Sequence, residues 1–551
     1  MAETELGTTQ RINTDVLVIG GGAAGLRATI AARKYGLNVV LISESPAGFR
    51  NNTAISQATL AATGIWKEPG DSPEAHLKDT ITAGRFINDR KLVATMARGV
   101  RQQVYDLTEF GVNFKRSDQE LLVKRMPGHA YPRHVTAEAY KGINITRPMR
   151  QYAASIGIQF MEGILVTKLL RAGDTAVGIL GIDGKGQVFV VSAKSTILAT
   201  GGAGEIYLRT NNAIGSTGDG YTLAYEAGAV LRDMEFVQFY PTTWGKHGSK
   251  MCIYEGFLPI GATLRNALGE DILKRHGMNE VASVTRDILT RTLMTEIVDG
   301  RGVEGNVVFD FTAVPDEKAQ ELYRSGEMSK VGNLEKLPVA PTAHFFMGGI
   351  RINENSETGI DRLYAAGEVC GGIHGANRLS GNAISETLVF GTIAGNQAAA
   401  SAAKMEQIPV PQSEVTDEVE RLKELASGTK GESPEQLRQS LKQTMWDKVG
   451  VIRDRQNLED ARKEILALRE QLAAVSLTDY RQLTRAIKLV NMLTVSEMVC
   501  RAALMRVESR GAHYRTDYPE EDNEQWLKTI EISCRGGEMM LRPITVPIEV
   551  N

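Results

Sequence analysis

The sequence predicts an α/β protein: a Rossmann-like dinucleotide-binding domain, split by an inserted α+β domain and followed by a C-terminal helical domain. Three observations carry this prediction. A strand, a glycine-rich turn, a helix and a second strand follow one another over residues 15–43. Glycine-rich, strand-then-helix text returns at residues 353–405, after a stretch of mixed pattern. From about residue 416 to 507 helix formers dominate, and no proline interrupts them after Pro434. The expected boundaries are 1–240 and 353–405 for the two parts of the nucleotide-binding domain, 241–352 for the insert, and 406–551 for the helical domain and tail.

Taken in order, residues 15–20 (DVLVIG) read as a short buried strand, residues 26–35 as an alanine-rich helix, and residues 38–43 (NVVLIS) as a second strand. Together they have the length of one βαβ unit. Residues 157–200 hold several β-rich runs, with turns at Ala172-Gly173-Asp174 and Asp183-Gly184, and close in a strand at 195–200. Residues 404–435 have the composition of a linker.

Bulk properties narrow the function. A chain of 551 residues exceeds one ordinary core, so two to four structural units are expected. A formal net charge of −3 offers no basic field, which argues against nucleic acid as a partner. The cysteines (Cys252, Cys370, Cys500, Cys534) show no ligand spacing. Isolated thiols are therefore expected, with no metal or iron–sulfur site in this chain. The first 15 residues are polar, and no apolar run approaches the roughly 18 residues that span a bilayer. A cytoplasmic protein with no direct membrane span is expected.

The chemistry begins at Gly20-x-Gly22-x-x-Gly25, between strand and helix. Its glycines permit a tight turn, close approach to a pyrophosphate and close helix packing, with the helix N-terminus facing the phosphate charge. The acid that would hold a ribose is Glu44, with Ser43 as competitor; a solvated Glu after a strand is the alternative reading. Three further glycine-rich loops follow strand-like runs at residues 199–204 (containing Gly201 and Gly202), 217–220 (containing Asp219) and 365–368 (ending at Glu368). Several backbone contacts from different strand ends suit a cofactor larger than a mononucleotide.

Four motifs then make a resemblance specific: Arg50-Asn51-Asn52-Thr53, His344-x-x-Met347-Gly348-Gly349, His374-Gly375-Ala376-Asn377-Arg378-Leu379-x-Gly381-Asn382 and Glu508-Ser509-Arg510-Gly511-Ala512-His513. In these the chain resembles the flavoprotein subunits of succinate dehydrogenase and fumarate reductase, with L-aspartate oxidase in the same family. The likeness runs over nearly the whole chain, in the family's order. It implies FAD, an inserted capping domain and a C-terminal helical region. Gly20, Gly22, Gly25, Asp219, Glu368, Asn382, Ala383 and Ile384 fall at FAD-contacting positions. His344 and Arg378 fall where the family grips a substrate carboxylate, a task that suits a planar guanidinium with a His donor beside it. Arg286 falls on the family's proton-transferring arginine, although Arg286-Asp287-x-x-x-Arg291 also reads as pairing along a helix.

The chain departs from the family at four places. Membrane-bound members attach FAD through a His, where this chain has Asn52, next to Thr53, so the implied FAD is noncovalent. The resemblance pairs Tyr240-Pro241-Thr242 with the family's His-Pro-Thr, and Tyr254-Glu255-Gly256-Phe257-Leu258 with a segment whose Glu and Arg complete a proton relay. Glu255 is retained; Leu258 replaces the Arg. Two readings follow. Tyr240, Tyr254, Phe257 and Leu258 make one end of the pocket too apolar for a second carboxylate, because burying an unpaired charge is costly. Alternatively Lys246, His247 or Arg265 takes over that carboxylate.

The expected activity is an FAD-dependent oxidoreductase acting on a CH–CH bond, which interconverts a small carboxylic acid and its α,β-unsaturated form. Electrons would pass to or from a separate iron–sulfur subunit. Rival expectations are an aspartate-oxidase-like oxidase and a flavin-holding electron-transfer subunit with a decayed substrate site. A reductase related to the adenylylsulfate enzymes has no specific support in the residues.

Overall fold

The computed structural model describes residues 6–546, apart from 8, 66–68, 118–119, 246–250, 254, 279–283, 316, 318–334, 429–430 and 476. Its central seven-stranded sheet runs Gln159–Glu162, Val39–Ser43, Gln10–Ile19, Val188–Leu198, Thr175–Asp183 and Ile164–Ala172, with Leu363–Ala365 joined to Val188–Leu198. Five of these strands pair in parallel, and the two after Val188–Leu198 pair antiparallel. The central strands Val39–Ser43 and Leu363–Ala365 are buried at every residue, as expected where both faces of a sheet are covered.

The helix Ala23–Arg33 links the first two parallel strands and packs along the helix Asn382–Ala402. Gly395 lets their backbones approach: a Cβ there would lie 2.2 Å from the Ala28 carbonyl oxygen. The carboxyl ends of four parallel strands, at Ile19, Ser43, Leu198 and Ala365, lie side by side, and the loop after each contains residues singled out above. In an open α/β sheet this edge is where a ligand binds.

A second sheet (Met251–Cys252, Val237–Trp244, Lys336–Phe346, Val307–Asp310, Thr263–Arg265) and the helix Arg286–Glu296 form the insert. They close around their own apolar cluster, which includes Ile253, Phe257, Leu258, Leu289, Leu293 and Phe309. Each such fully buried side chain contributes about 1.5–3 kcal/mol relative to exposure. The strand Val237–Trp244 runs unbroken through residues 240 and 241, so the expected domain edge falls inside a strand.

The helices Gln412–Ala426, Pro434–Lys448, Arg455–Leu472 and Tyr480–Met505 form the helical region, and Ser433, Asp454 and Asp479 cap the last three. The first of these helices occupies a stretch read from composition as linker. Its buried Val415 and Leu422 explain why it is ordered. The tail does not stay with the helices. The hairpin Lys528–Arg535 and Glu538–Thr545 joins a sheet with Leu231–Arg232, Gly349–Arg351 and Cys370–Gly371. Among the described residues no helix is long and apolar enough to cross a membrane.

Candidate active site

The glycine cradle sits at the sheet edge. A Cβ on Gly20 would lie 2.1 Å from the Ala199 carbonyl oxygen, and one on Gly25 would lie 1.9 Å from the Gly20 oxygen. Only glycine lets these strand ends and the helix start meet. The helix Ala23–Arg33 begins at Gly22, and the helix Asn382–Ala402 at Gly381, each without a side-chain cap. Their first N–H groups are therefore available to an anionic or carbonyl group. Thr200 Oγ1, in the glycine loop after Val188–Leu198, is buried with no hydrogen-bond partner among the described residues. Uncapped helix starts beside an orphaned hydroxyl fit a long dinucleotide such as FAD.

Several residues named from the sequence have their side chains engaged elsewhere. Ser43 donates to the Ser45 carbonyl at 2.7 Å, and both oxygens of Glu44 accept from Lys488 Nζ at 2.5 Å. Asn382 Oδ1 faces His76 Nε2 at 2.7 Å while its Nδ2 donates to Thr80, so Asn382, Ala383 and Ile384 offer backbone rather than side chain to a ligand. Asp219 Oδ1 accepts from Thr217 and Asn491.

Asn52 and Glu368 tie the cradle to the insert. Asn52 Nδ2 donates to Glu368 Oε2 at 3.0 Å, and Glu368 Oε1 accepts from the Phe346 N–H at 3.1 Å. Thr53 follows Asn52 in the short helix Asn52–Ile55, while Gly201 and Gly202 turn the chain towards Glu368. Burial pushes the Glu368 carboxyl up despite these bonds.

Four of the named residues converge next to this link. Arg286, the first residue of its helix, lies over the Tyr240 ring with Cζ 4.7 Å from the centroid. The Tyr240 and His344 rings meet edge to face at 5.4 Å. Arg378 lies over Phe345, with Cζ 4.8 Å from that centroid. His344 is the extra residue of a β-bulge, because Gln238 pairs with Phe345 and Phe239 already with Ala343. A bulge re-aims one side chain without ending the strand. Asn211 and Asn212 hold the bulge: Asn211 Oδ1 meets His344 Nδ1 at 3.1 Å, and Asn212 Nδ2 donates to the His344 carbonyl at 2.8 Å. Nothing in their sequence context marked these two asparagines.

The electrostatics suit an anion. Arg378 is 7% exposed, and its Nε is buried without an acceptor among the described residues. Burial first, and the neighbouring Arg286 charge second, pull its pKa down to about 9, with Glu368 opposing. His344 is held well below its ordinary value by burial and then by the same two arginines, so it is neutral at pH 7. A carboxylate entering between these groups would supply the missing negative charge.

Beyond His344 two hydroxyls are engaged by the backbone. Tyr240 Oη and Thr242 Oγ1 both donate to the Ile253 carbonyl, at 3.3 and 2.7 Å. Phe257 and Leu258, expected to line the pocket, instead belong to the insert's core, 2% and 7% exposed, with Phe257 edge-on to Phe311. Their apolar side chains gain more from that cluster than from a solvent-lined slot. Arg265 is paired with Asp310 at 3.1 Å in the sheet and does not join the site. Tyr254, Lys246, His247 and the side chain of Glu255 lie outside the described residues. Helix pairing does not explain Arg286-Asp287-x-x-x-Arg291 either, since Asp287 accepts from Asn377 at 3.1 Å and Arg291 lies over Tyr514.

The Glu508–His513 motif acquires a structural role. Gly511 has φ +53°, and a Cβ there would meet the Ala376 carbonyl oxygen at 2.4 Å; the Ala512 N–H donates to that same oxygen at 2.9 Å. Gln238 Nε2 donates to Asn377 Oδ1 and to the Arg378 carbonyl. The loop that carries Arg378 is thus held from the helical region and from the strand of Tyr240.

Comparison with known proteins agrees with this construction. Residues 15–384 match the FAD binding domain family, and residues 438–549 match the fumarate reductase flavoprotein C-terminal family. An uncharacterized FAD-dependent oxidoreductase from Methanocaldococcus jannaschii is 36% identical, over 98% of this chain and 99% of that one. One subunit of the fumarate reductase (CoM/CoB) of Methanothermobacter marburgensis is 36% identical, over 94% of this chain and 96% of that one. The solved structure of Mycobacterium smegmatis Sdh1 in complex with UQ1 superposes with a TM-score of 0.88 at 31% identity, over 98% of this chain and 95% of that one.

Proposed function

Since the chain belongs to the flavoprotein family of fumarate reductase and succinate dehydrogenase, we propose that this FAD-dependent oxidoreductase interconverts a monocarboxylic acid and its α,β-unsaturated partner. The observation that carries the reading is Arg378 Nε, buried without an acceptor beside a neutral His344. FAD, when bound, supplies the group that accepts or donates hydride at the carbon β to the carboxylate. Gly20, Gly22 and Gly25 would hold its pyrophosphate, and the backbone of Asn382, Ala383 and Ile384 its flavin end. Its attachment is noncovalent, because the Asn52 amide has no nucleophile comparable to an imidazole nitrogen.

Arg378 and His344 grip the carboxylate and fix the β carbon against the flavin site, which converts encounter into orientation. Arg286 exchanges a proton at the α carbon. It stands at the start of its helix over the Tyr240 ring, close enough to Arg378 for its charge to be felt there. The substrate's remainder lies along Tyr240, where the hydroxyls of Tyr240 and Thr242 are turned to Ile253 rather than to a second carboxylate. Electrons pass to a separate iron–sulfur protein. Relatives that are themselves parts of larger enzymes support this reading.

Anaerobic reoxidation of the photoreduced flavoprotein tests this directly. Crotonate or cinnamate is expected to reoxidise it, and fumarate to do so much more slowly. Rapid reoxidation by fumarate would show that a second carboxylate is accommodated. Failure of all three acids would favour an electron-transfer subunit.

A further inference from the structure

The helix Tyr480–Met505 lays one stripe of side chains against the glycine cradle. Lys488, Asn491 and Val495 follow the i, i+3, i+7 spacing of a single helix face. Lys488 Nζ lies 2.5 Å from both oxygens of Glu44, the residue that follows the strand Val39–Ser43. One turn on, Asn491 Nδ2 donates to Asp219 Oδ1 at 2.8 Å. Val495 closes on Gly218, where a Cβ would lie 2.8 Å from its Cγ2. The loop of Gly218 and Asp219 abuts the cradle, because a Cβ on Gly220 would lie 1.9 Å from the orphaned Thr200 Oγ1.

The charges at this seam call for the helix. A carboxylate just after the second strand of a dinucleotide-binding unit is placed for the ribose hydroxyls of an adenosine. A carboxylate has about four acceptor positions, so Glu44 can hold such hydroxyls and Lys488 together. Burial raises the Asp219 carboxyl; the Lys488 charge and the Asn491 hydrogen bond oppose this, and the Glu44 charge adds to it. The two acids are thus close enough to repel each other, and the diphosphate of FAD is itself anionic. Lys488 faces both of them. Its side chain is 13% exposed, so solvent screens its charge only in part.

We propose that the helical region supplies a wall of the FAD site, with Lys488 as the counter-charge that lets Glu44 and Asp219 hold the adenosine end. Asn491 fixes the Asp219 carboxylate, and Val495 seats the stripe on the loop. Both are positioning residues, acting through Asp219 and Gly218. FAD bound in this way is retained by the helical region as well as by the glycine cradle. The inference concerns the cofactor rather than the substrate, so it stands whichever acid reoxidises the flavin.

Release of FAD from the holoprotein tests it, followed as recovery of flavin fluorescence on dilution. Lys488→Met keeps the stem of the side chain and removes its charge. It is expected to release FAD roughly tenfold faster or more, while Lys488→Arg stays near the wild-type rate. Raising the ionic strength should narrow the difference between Lys488→Met and the wild type. Glu44→Gln should speed release from the wild type and slow it from Lys488→Met, a reversal of sign that damaged packing would not produce. The midpoint potential of the flavin still bound should be unchanged, because its ring lies at the other end of the site. A crystal structure of the holoprotein is expected to show the adenosine ribose within hydrogen-bond distance of Glu44. A ribose held elsewhere overturns the inference, and so does a wild-type release rate in Lys488→Met. Should the flavin prove covalently held, the crystal structure decides.

Discussion

Arg378 keeps its charge in a place where burial works against it, and this makes substrate binding sensitive to alkaline pH. Its pKa is lowered to about 9, so the cation is fully present below that value and is lost as pH rises through it. The affinity of a simple carboxylate inhibitor, followed by flavin absorbance between pH 7 and 10, should stay flat to about pH 8 and then fall towards tenfold per unit. A bound carboxylate raises the pKa of the complex, which sets the pH where the fall ends and not where it begins. Affinity that holds flat to pH 10 would show that Arg378 does not clamp it. Arg378→Lys should retain FAD yet lose about 10²-fold or more in kcat/KM, because an ammonium cannot reproduce the planar, two-point contact. Asn52 bears on the cofactor: acid precipitation should release all flavin colour into the supernatant, and colour left in the pellet would contradict noncovalent binding.

At the scale of elements, small irregularities aim the site. The bulge at His344 turns one side chain out of the regular alternation, and the turn at Gly511 presses on the loop that carries Arg378. Gly511→Ala would force both a left-handed alanine and a contact with the Ala376 oxygen. It should cost about 1–3 kcal/mol and slow turnover while FAD remains bound. Gly536→Ala is the control, because φ is +58° there but a Cβ meets nothing within 4 Å. Equal effects of the two on turnover would mean that the contact with Ala376 does not matter. The glycine fingerprint was legible before the structure, because its spacing has one mechanical use after a strand. The bulge was not, since whether a strand gains a residue depends on its partner's register.

Across the whole molecule, a buried charge network joins the units. Arg506 donates to Glu235 at 2.8 Å and to Glu508 at 2.9 Å, Arg510 donates to Glu508 at 2.7 Å, and all four side chains are fully buried. Glu235 precedes the strand of Tyr240, and Arg506 to Arg510 lead into the Gly511 turn, so the network fixes how the helical region meets the active-site loop. Removing one member leaves its partners charged and dry. Glu508→Ala should destabilise by about 3–5 kcal/mol, read as a lower thermal midpoint that added FAD only partly restores. An unchanged midpoint would mean that water reaches the network and screens it.

The nucleotide-binding fold and the interrupted order of its parts were legible in the sequence, from glycines after a strand and helix formers in a long run. His344, Arg378 and Arg286 became candidates through the motifs by which the chain resembles its family. The tertiary structure decided what depends on partners distant in the chain. It placed Phe257 and Leu258 in a core rather than in the pocket, engaged Glu44 with Lys488, and returned the tail to a sheet with residues some 180 and 300 positions earlier. Burial and pairing are properties of the assembled chain, and no local pattern encodes which neighbour a side chain will meet.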